Sequence, residues 1–162
     1  MTSNRKKIAL VGLGAAAKTI HLPAYSKLAN LELVGGHDPA ITLAAGKGAF
    51  PFPVYEDVNT LLEQTKPDIL AIASPTRFHY ELAEQGLKYG CHIFCEKPID
   101  LDLQQVRELV RLIDRTKIKF QLGFNRRFDP EFQTLRKLLQ SGKMGDLHIL
   151  HITSRDPSPP PL

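Results

Sequence analysis

Three small residues near the start of the chain have the spacing of a phosphate-binding turn. Gly12, Gly14 and Ala17 form the pattern G-x-G-x-x-A, after the apolar run at residues 8–11 and before a helical pattern. Such a turn lets the backbone approach a pyrophosphate, whose charge then lies at the N-terminus of the following helix. The chemistry that this segment predicts is therefore the binding of a dinucleotide.

An acidic residue follows at the distance that a dinucleotide site requires. The fingerprint places an acid about 20 residues after the turn, at the end of the second strand, where it binds ribose hydroxyls. Leu31–His37 reads as that strand, and Asp38 ends it. A carboxylate at this position repels a 2′-phosphate, so the sequence favours NAD over NADP. The alternative is that Asp38 caps a helix that begins near Pro39 and Ala40.

The same N-terminal stretch also resembles a secretory signal peptide. Three basic residues at positions 5–7 precede an apolar run and then small residues. Gly12 and Gly14 interrupt that run, which is unfavourable for a signal helix, and Asp38 supports the dinucleotide turn instead. The dinucleotide turn is therefore the favoured interpretation of this stretch, and the free thiols expected at Cys91 and Cys95 fit a cytoplasmic protein.

Composition narrows the class of protein. A chain of 162 residues can bury one full core but hardly two. No apolar run approaches the length of a membrane span, and the net charge of +4 comes from basic residues mixed with acids. Nucleic-acid binding is therefore a weak alternative that only the basic isoelectric point supports.

Cys91 and Cys95 lack C-x-x-C spacing and companions for zinc, so we expect buried free thiols and no metal site.

Strands and helices alternate along the first three quarters of the chain. The expected strands cover residues 7–11, 31–37, 54–55, 68–73, 92–95 and 119–124. The expected helices cover residues 16–28, 41–48, 58–64, 77–89 and 103–116. Pro23 breaks the first helix, Asp57 caps the third and Gly90 ends the fourth. The last helix has an apolar face that comprises Val106, Leu109, Val110 and Ile113. This alternation predicts an α/β fold with a doubly wound parallel sheet, the Rossmann arrangement.

The pattern changes after Gly123. A helix is expected at residues 131–141, a turn at 142–145 and a strand at 147–153, followed by an irregular proline-rich tail at 154–162. One helix and one strand cannot close a core of their own. We therefore expect a dinucleotide-binding domain at residues 1–123, and at residues 124–162 the truncated, incomplete start of an α+β C-terminal domain for substrate binding and oligomerisation.

Several motifs in order resemble the N-terminal part of the glucose–fructose oxidoreductase, inositol dehydrogenase and MocA family. They are the G-x-G-x-x-A turn, His21-Leu22-Pro23, Asp38-Pro39, Ser74-Pro75-Thr76 with His79, Glu96-Lys97-Pro98 and Gly123-Phe124-Asn125-Arg126-Arg127-Phe128. The resemblance covers nearly the whole chain. The segment after Gly123 most resembles the inositol 2-dehydrogenase branch.

The resemblance implies cofactor-binding roles that agree with the predicted sheet. Besides Gly12, Gly14 and Asp38, the residues implied are Ala15, Ala16, Ala17, Ser74, Pro75, Thr76, His79, Glu96, Lys97 and Arg126. Ala15 and Ala16 would bind through backbone N–H groups alone. Residues 74–76 follow a buried strand and would line the nicotinamide side of the crevice. His79 either faces that crevice or caps its helix, and the sequence leaves both readings open.

Lys97 is the candidate catalytic residue. It follows the strand His92–Cys95, at the end where ligands bind in such sheets. Hydride transfer from an alcohol needs a group that takes the hydroxyl proton and polarises the oxygen, and a lysine can do both. In the family, this lysine works with an aspartate and a histidine of the second domain, which would lie beyond Leu162. Glu96 would orient Lys97 or belong to the cofactor site. The alternative is a surface Lys–Glu pair before a proline turn.

Two functions remain open at this point. The first is an NAD-dependent dehydrogenase that acts on a polyol or sugar, is a homo-oligomer in its full-length form, and is inactive as this chain. The second is a non-catalytic dinucleotide-binding module with a regulatory or assembly role. Neither function requires a membrane or a nucleic acid.

Overall fold

The computed structural model describes residues 5–155, and its centre is a five-stranded parallel sheet. The strands lie in the order β2-β1-β3-β4-β5. Their bounds are β1 Lys6–Val11, β2 Leu31–His37, β3 Ile69–Ile72, β4 His92–Cys95 and β5 Phe120–Leu122. The expected doubly wound α/β fold is confirmed.

Helices connect the strands. They are α1 Leu22–Tyr25, α2 Leu43–Gly46, α3 Val58–Thr65, α4 His79–Lys88, α5 Leu103–Asp114 and α6 Pro130–Gln140. The predicted caps are present: Asp57 accepts a hydrogen bond from the Thr60 backbone N–H at the start of α3, and Gly90 has a φ of 76° after α4. The continuous helix expected at residues 16–28 is replaced by a π-helical stretch, Ala17–His21, followed by the short α1. Pro23 lacks an N–H donor, which agrees with this break in the regular helix.

Both faces of the sheet are buried, as a doubly wound arrangement requires. Alternate residues of β1 enter different cores: Ile8 and Leu10 pack on one side, Ala9 and Val11 on the other. On α5, Leu109 is fully buried, but Val110 is 45% exposed. The predicted apolar face was therefore wrong at Val110, because neighbouring helical positions point about 100° apart and the contact with the core is narrow.

The region after β2 is less regular than the sequence predicted. Residues 54–55 do not form a strand, and only an isolated parallel bridge joins Val54 to Gly36 of β2. The helix expected at residues 41–48 is shortened to α2. Prolines at positions 51 and 53 lack the donor that a longer ladder needs, and the Gly36 N–H instead donates to the Pro53 carbonyl at 3.0 Å.

The chain divides into two compact units, residues 1–123 and 124–162. The second unit contains a 3-10 turn, Asn125–Arg127, and α6, and none of its residues from 124 to 155 is buried. The strand predicted at residues 147–153 was wrong: this segment has no regular structure, and Ile149 is 86% exposed. A strand forms only against a partner strand, and the described part of this unit offers none. Most of the proline-rich tail, residues 156–162, lies outside the described residues.

Within residues 5–155, no helix is long and apolar enough to cross a membrane.

Candidate functional site

The carboxyl ends of β1 and β3 lie side by side where the strand order changes direction. β1 pairs with β2 on one side and with β3 on the other, and the Ala73 N–H donates to the Val11 carbonyl at 2.8 Å. Ligands of open α/β sheets bind in the crevice beyond this edge. Residues 12–17 leave β1 here and residues 74–76 leave β3 here, so the fold brings these two predicted segments together.

Gly12 is the tightest point of the turn. Its φ is 86°, and a Cβ atom there would lie 2.5 Å from the Ser74 nitrogen. Its N–H donates to the His37 carbonyl at 2.9 Å, which joins the turn to the end of β2. A Cβ on Gly14, by contrast, would meet no atom within 4 Å. The turn is therefore packed against the protein at Gly12 and open to the crevice at Gly14.

The three alanines of the turn have two different environments. Ala17 is fully buried in the core that includes Leu13 and Phe52, which agrees with a packing role. Ala15 is exposed and Ala16 half-buried, close to the start of the helical segment. The first backbone N–H groups of a helix have no intrahelical acceptor, so they are free to bind an anion.

Asp38 is bound to the turn rather than to a helix. One carboxylate oxygen, Oδ2, accepts a hydrogen bond from the Leu13 N–H at 2.8 Å, and Oδ1 accepts one from the Ala40 N–H at 2.9 Å. The cap of α2 is Thr42, so the helix-cap alternative for Asp38 is wrong. Each carboxylate oxygen has further lone pairs, and both can still accept hydroxyl donors.

The loop that carries Lys97 leaves the same edge from the next strand. The Glu96 N–H donates to the Ile72 carbonyl at 2.9 Å, which ties the start of this loop to the end of β3. Lys97 itself is exposed, and among residues 5–155 no side chain bonds or pairs with its ammonium group. Its amine is therefore free to meet a ligand.

A buried histidine to which the sequence analysis gave no role lies beside Glu96. His21 is 5% exposed, and its Nε2 lies 3.1 Å from Glu96 Oε1, within ion-pair distance but without hydrogen-bond alignment. Its Nδ1 lies 3.4 Å from the Tyr25 hydroxyl, and burial, with the charge of Glu96, raises the pKa of that hydroxyl. Glu96 Oε2 accepts a hydrogen bond from the Lys97 N–H at 3.2 Å. His21 belongs to the H-L-P motif, which was the available signal for it.

His79 is buried between two loops. It is 1% exposed, and its Nδ1 and Nε2 lie 2.7 Å from the carbonyl oxygens of Pro98 and Ser74. The capping alternative is wrong, because the N-terminus of α4 has no side-chain cap. A direct contact of His79 with the cofactor stays a prediction, and its two nitrogens already face the protein.

Arg126 lies in the second unit. Its guanidinium is 3.5 Å from Asp129 Oδ2 and stacks over the Phe132 ring at 5.3 Å. These contacts tie Arg126, in the 3-10 turn Asn125–Arg127, to residues at the start of α6, and its role toward a cofactor stays a prediction.

The two cysteines are free and buried, as predicted. Burial, with a smaller effect of Asp68, raises the pKa of the Cys91 thiol to about 11. Burial, with a smaller effect of Glu96, raises the pKa of the Cys95 thiol to about 12. Both are thus protonated at neutral pH and unsuited to act as nucleophiles.

Comparison with known proteins agrees with this geometry. Residues 6–124 match the model of an oxidoreductase family with an NAD-binding Rossmann fold. The chain is 39% identical over 158 residues to an inositol 2-dehydrogenase of Rhizobium meliloti, covering 96% of this chain and 47% of that protein. It is 40% identical over 108 residues to a myo-inositol 2-dehydrogenase of Thermotoga maritima, covering 67% of this chain and 32% of that protein.

Solved structures show the same relationship. The scyllo-inositol dehydrogenase of Lactobacillus casei with bound NAD(H) and scyllo-inositol superposes with a TM-score of 0.79 at 33% identity, over 88% of this chain and 43% of that one. Its apo form gives a TM-score of 0.81 at 32% identity, over 90% of this chain and 44% of that one. The chain thus spans less than half the length of each of these proteins.

Proposed function

The chain belongs to the Gfo/Idh/MocA oxidoreductase family, and from this premise we propose that it is the cofactor-binding part of an NAD-dependent dehydrogenase that oxidises a secondary hydroxyl of a polyol or sugar. The observation that carries the proposal is the hydrogen bond between the Asp38 carboxylate and the Leu13 N–H. It holds an acidic group beside the glycine turn, where the ribose of a dinucleotide would lie.

The residues present fit NAD. The space beyond Gly14 admits a pyrophosphate close to the backbone, and the helical segment after it supplies N–H groups. Asp38 would accept hydrogen bonds from both ribose hydroxyls while keeping its bonds to Leu13 and Ala40. Its negative charge disfavours the 2′-phosphate of NADP.

Lys97 would carry the proton transfer. When bound, the nicotinamide supplies hydride exchange with the carbinol carbon of the substrate. The Lys97 amine takes the proton of the hydroxyl during oxidation and returns it during reduction. The Glu96 carboxylate accepts the Lys97 backbone N–H at 3.2 Å, which ties the backbone of Lys97 to the Glu96 side chain.

The substrate class follows from the relatives and not from side chains of this chain. All three proteins compared above are named for an inositol, and one of them was solved with scyllo-inositol bound. We therefore propose a cyclic polyol as the substrate. A cytoplasmic location and a homo-oligomeric full-length form stay predictions.

A non-catalytic dinucleotide-binding module is the second candidate. It is favoured by the second unit, in which no residue from 124 to 155 is buried. In that case NAD would bind but no polyol would be oxidised.

Calorimetric titration with NAD tests the proposal. The unmodified chain should bind NAD, and Gly14→Val should weaken binding at least about tenfold, because the new side chain occupies the approach to the turn. A Cβ at Gly14 would meet no atom within 4 Å, so the fold should be kept, and denaturant unfolding of each variant checks this. Gly14→Ala provides a graded intermediate. A folded chain that binds no NAD, or a Gly14→Val variant that binds it equally well, contradicts the proposal. Turnover of myo-inositol by this chain fused to the C-terminal part of a relative then separates the two candidates, because only the dehydrogenase candidate should oxidise it in that chimera.

A further inference from the structure

His79 is the polar member of an otherwise apolar stripe. It begins α4, and the buried residues of that helix are His79, Leu82, Ala83 and Gly86. This spacing places all four on one face of the helix. An imidazole that is 1% exposed at such a position needs partners for its nitrogens.

The partners are two backbone carbonyls from different loops. Nε2 lies 2.7 Å from the Ser74 oxygen and Nδ1 lies 2.7 Å from the Pro98 oxygen. A carbonyl oxygen only accepts, so each contact is a hydrogen bond when the ring nitrogen carries a proton. The neutral ring satisfies one carbonyl and the doubly protonated ring satisfies both. The ring therefore spans the two loops and presents no free nitrogen to the crevice.

The two carbonyls that His79 contacts belong to two loops of the candidate site. Ser74 is the second residue after β3, and its nitrogen is the atom nearest to a Cβ built on Gly12. Pro98 directly follows Lys97. We propose that His79 is a positioning residue that holds the Lys97 loop in register with the loop that lines the nicotinamide side of the crevice. The positioning of Lys97 rests on the proposed function, but the clamp between the two loops does not.

The first test uses the unmodified chain and needs no cofactor. In a sample labelled with ¹⁵N-histidine, a ring N–H proton of His79 should be visible at neutral pH, because burial and hydrogen bonding slow its exchange with water. The exposed His148 and His151 are internal controls whose ring protons should be lost to exchange. Absence of a protected ring proton on His79 overturns the clamp.

The second test compares two variants that differ in their donors. His79→Phe keeps a ring but has no donor, whereas His79→Gln keeps an N–H donor. The readouts are the NAD dissociation constant and the NMR signal of ¹³C-methylated Lys97, assigned with Lys97→Arg. We expect His79→Phe to shift the Lys97 signal and to weaken NAD binding about tenfold, with partial recovery in His79→Gln. Tyr80→Phe, at the next position of α4, is the matched control and should change neither readout.

The outcomes separate the clamp from the proposed function. A folded His79→Phe variant with an unchanged Lys97 signal overturns the clamp, even if NAD binds. A shifted Lys97 signal in a chain that never binds NAD supports the clamp and contradicts the proposed function instead. If His79→Phe does not fold, the His79→Gln variant and the ring-proton measurement on the unmodified chain decide. An unshifted Lys97 signal in His79→Gln supports the clamp only if the His79 ring proton of the unmodified chain is protected from exchange. An unprotected ring proton overturns the clamp.

Discussion

The Leu13 N–H donates to the Asp38 carboxylate at 2.8 Å, although 25 positions separate the two residues. This bond joins the glycine turn after β1 to the end of β2. An acid that binds ribose and a turn that binds pyrophosphate must keep a fixed distance to hold one dinucleotide. In the proposed site, this hydrogen bond would supply that constraint between Asp38 and the turn.

The close approach of Gly12 to Ser74 should be visible in stability. Gly12→Ala and Gly90→Ala both place a side chain at a positive φ, 86° and 76° respectively. Only at Gly12 does the new Cβ also strike backbone, 2.5 Å from the Ser74 nitrogen. We expect Gly90→Ala to cost about 1 kcal/mol and Gly12→Ala about 3 kcal/mol or more in denaturant unfolding. Equal losses of unfolding free energy in the two variants would show that the turn at Gly12 is not in close contact with the loop after β3.

Acid should weaken the contact at the opposite end of the sheet. Asp68 accepts hydrogen bonds from the Lys6 ammonium and from the Lys7 N–H, each at 2.9 Å, and these lower the pKa of its carboxyl. A lowered folded-state pKa stabilises the protein above the unfolded value of about 3.9, and this stabilisation is lost as pH falls through the folded value. Urea unfolding from pH 7 to pH 2 should therefore show Asp68→Asn less stable at pH 7, by less than about 1 kcal/mol for so exposed a group.

The unmodified chain and Asp68→Asn should have the same stability toward urea at pH 2. An Asp68→Asn variant whose deficit persists unchanged at pH 2 would indicate that the substitution acts through packing and not through the charge.

The second unit should be cut before the first by trypsin. No residue from 124 to 155 is buried, whereas the core of the first unit includes fully buried residues of β1 and β3. Limited proteolysis should cleave first after Arg126, Arg127, Arg136, Lys137 or Lys143, because local opening there exposes little apolar surface. Mass spectrometry of the first fragments gives the sites. Early cleavage within residues 5–123 would contradict the expectation that the second unit opens more readily than the first.

Lys97 should matter for turnover and not for cofactor binding. The chain alone should bind NAD and oxidise polyols negligibly, because under the proposal Lys97 shares proton transfer and substrate orientation with groups that the family resemblance assigns to a second domain, and a missing acid–base partner costs about 10²–10⁴ in rate. Fusion to the C-terminal part of a close relative should restore activity. In that chimera, Lys97→Ala should remove most activity and leave the NAD dissociation constant largely unchanged. Rapid inositol oxidation by the unmodified chain, or a chimera that is indifferent to Lys97→Ala, would contradict this assignment.

The sheet could be predicted from the sequence because its strands are short apolar runs between glycines and prolines. The bounds of β2 and β4 agree with the prediction, and β1, β3 and β5 differ only at their ends. The prediction of a strand at residues 147–153 was wrong. The alternating pattern of this segment favours a strand, but a strand forms only when it pairs with a partner strand. Local pattern carries no information about such a partner.

The site was only partly predictable for a related reason. Asp38 was found by its distance along the chain, which the strand–turn–helix unit determines. The contacts of His21 with Glu96 and of His79 with Pro98 join segments 75 and 19 positions apart, and they depend on how loops meet at the sheet edge. For His79, the helical spacing with Leu82, Ala83 and Gly86 was a readable signal of burial.

The ratio of NAD affinity to NADP affinity tests the central claim most directly. Calorimetry should show tighter binding of NAD by the unmodified chain, and both Asp38→Asn and Asp38→Ala should weaken NAD and narrow the ratio, since they remove the charge that repels the 2′-phosphate. Glu32→Gln removes an exposed charge elsewhere on β2 and should leave the ratio unchanged. Equal affinity of the unmodified chain for NAD and NADP, or a ratio that does not change when Asp38 is substituted, would contradict the dinucleotide site proposed for residues 12–17 and Asp38.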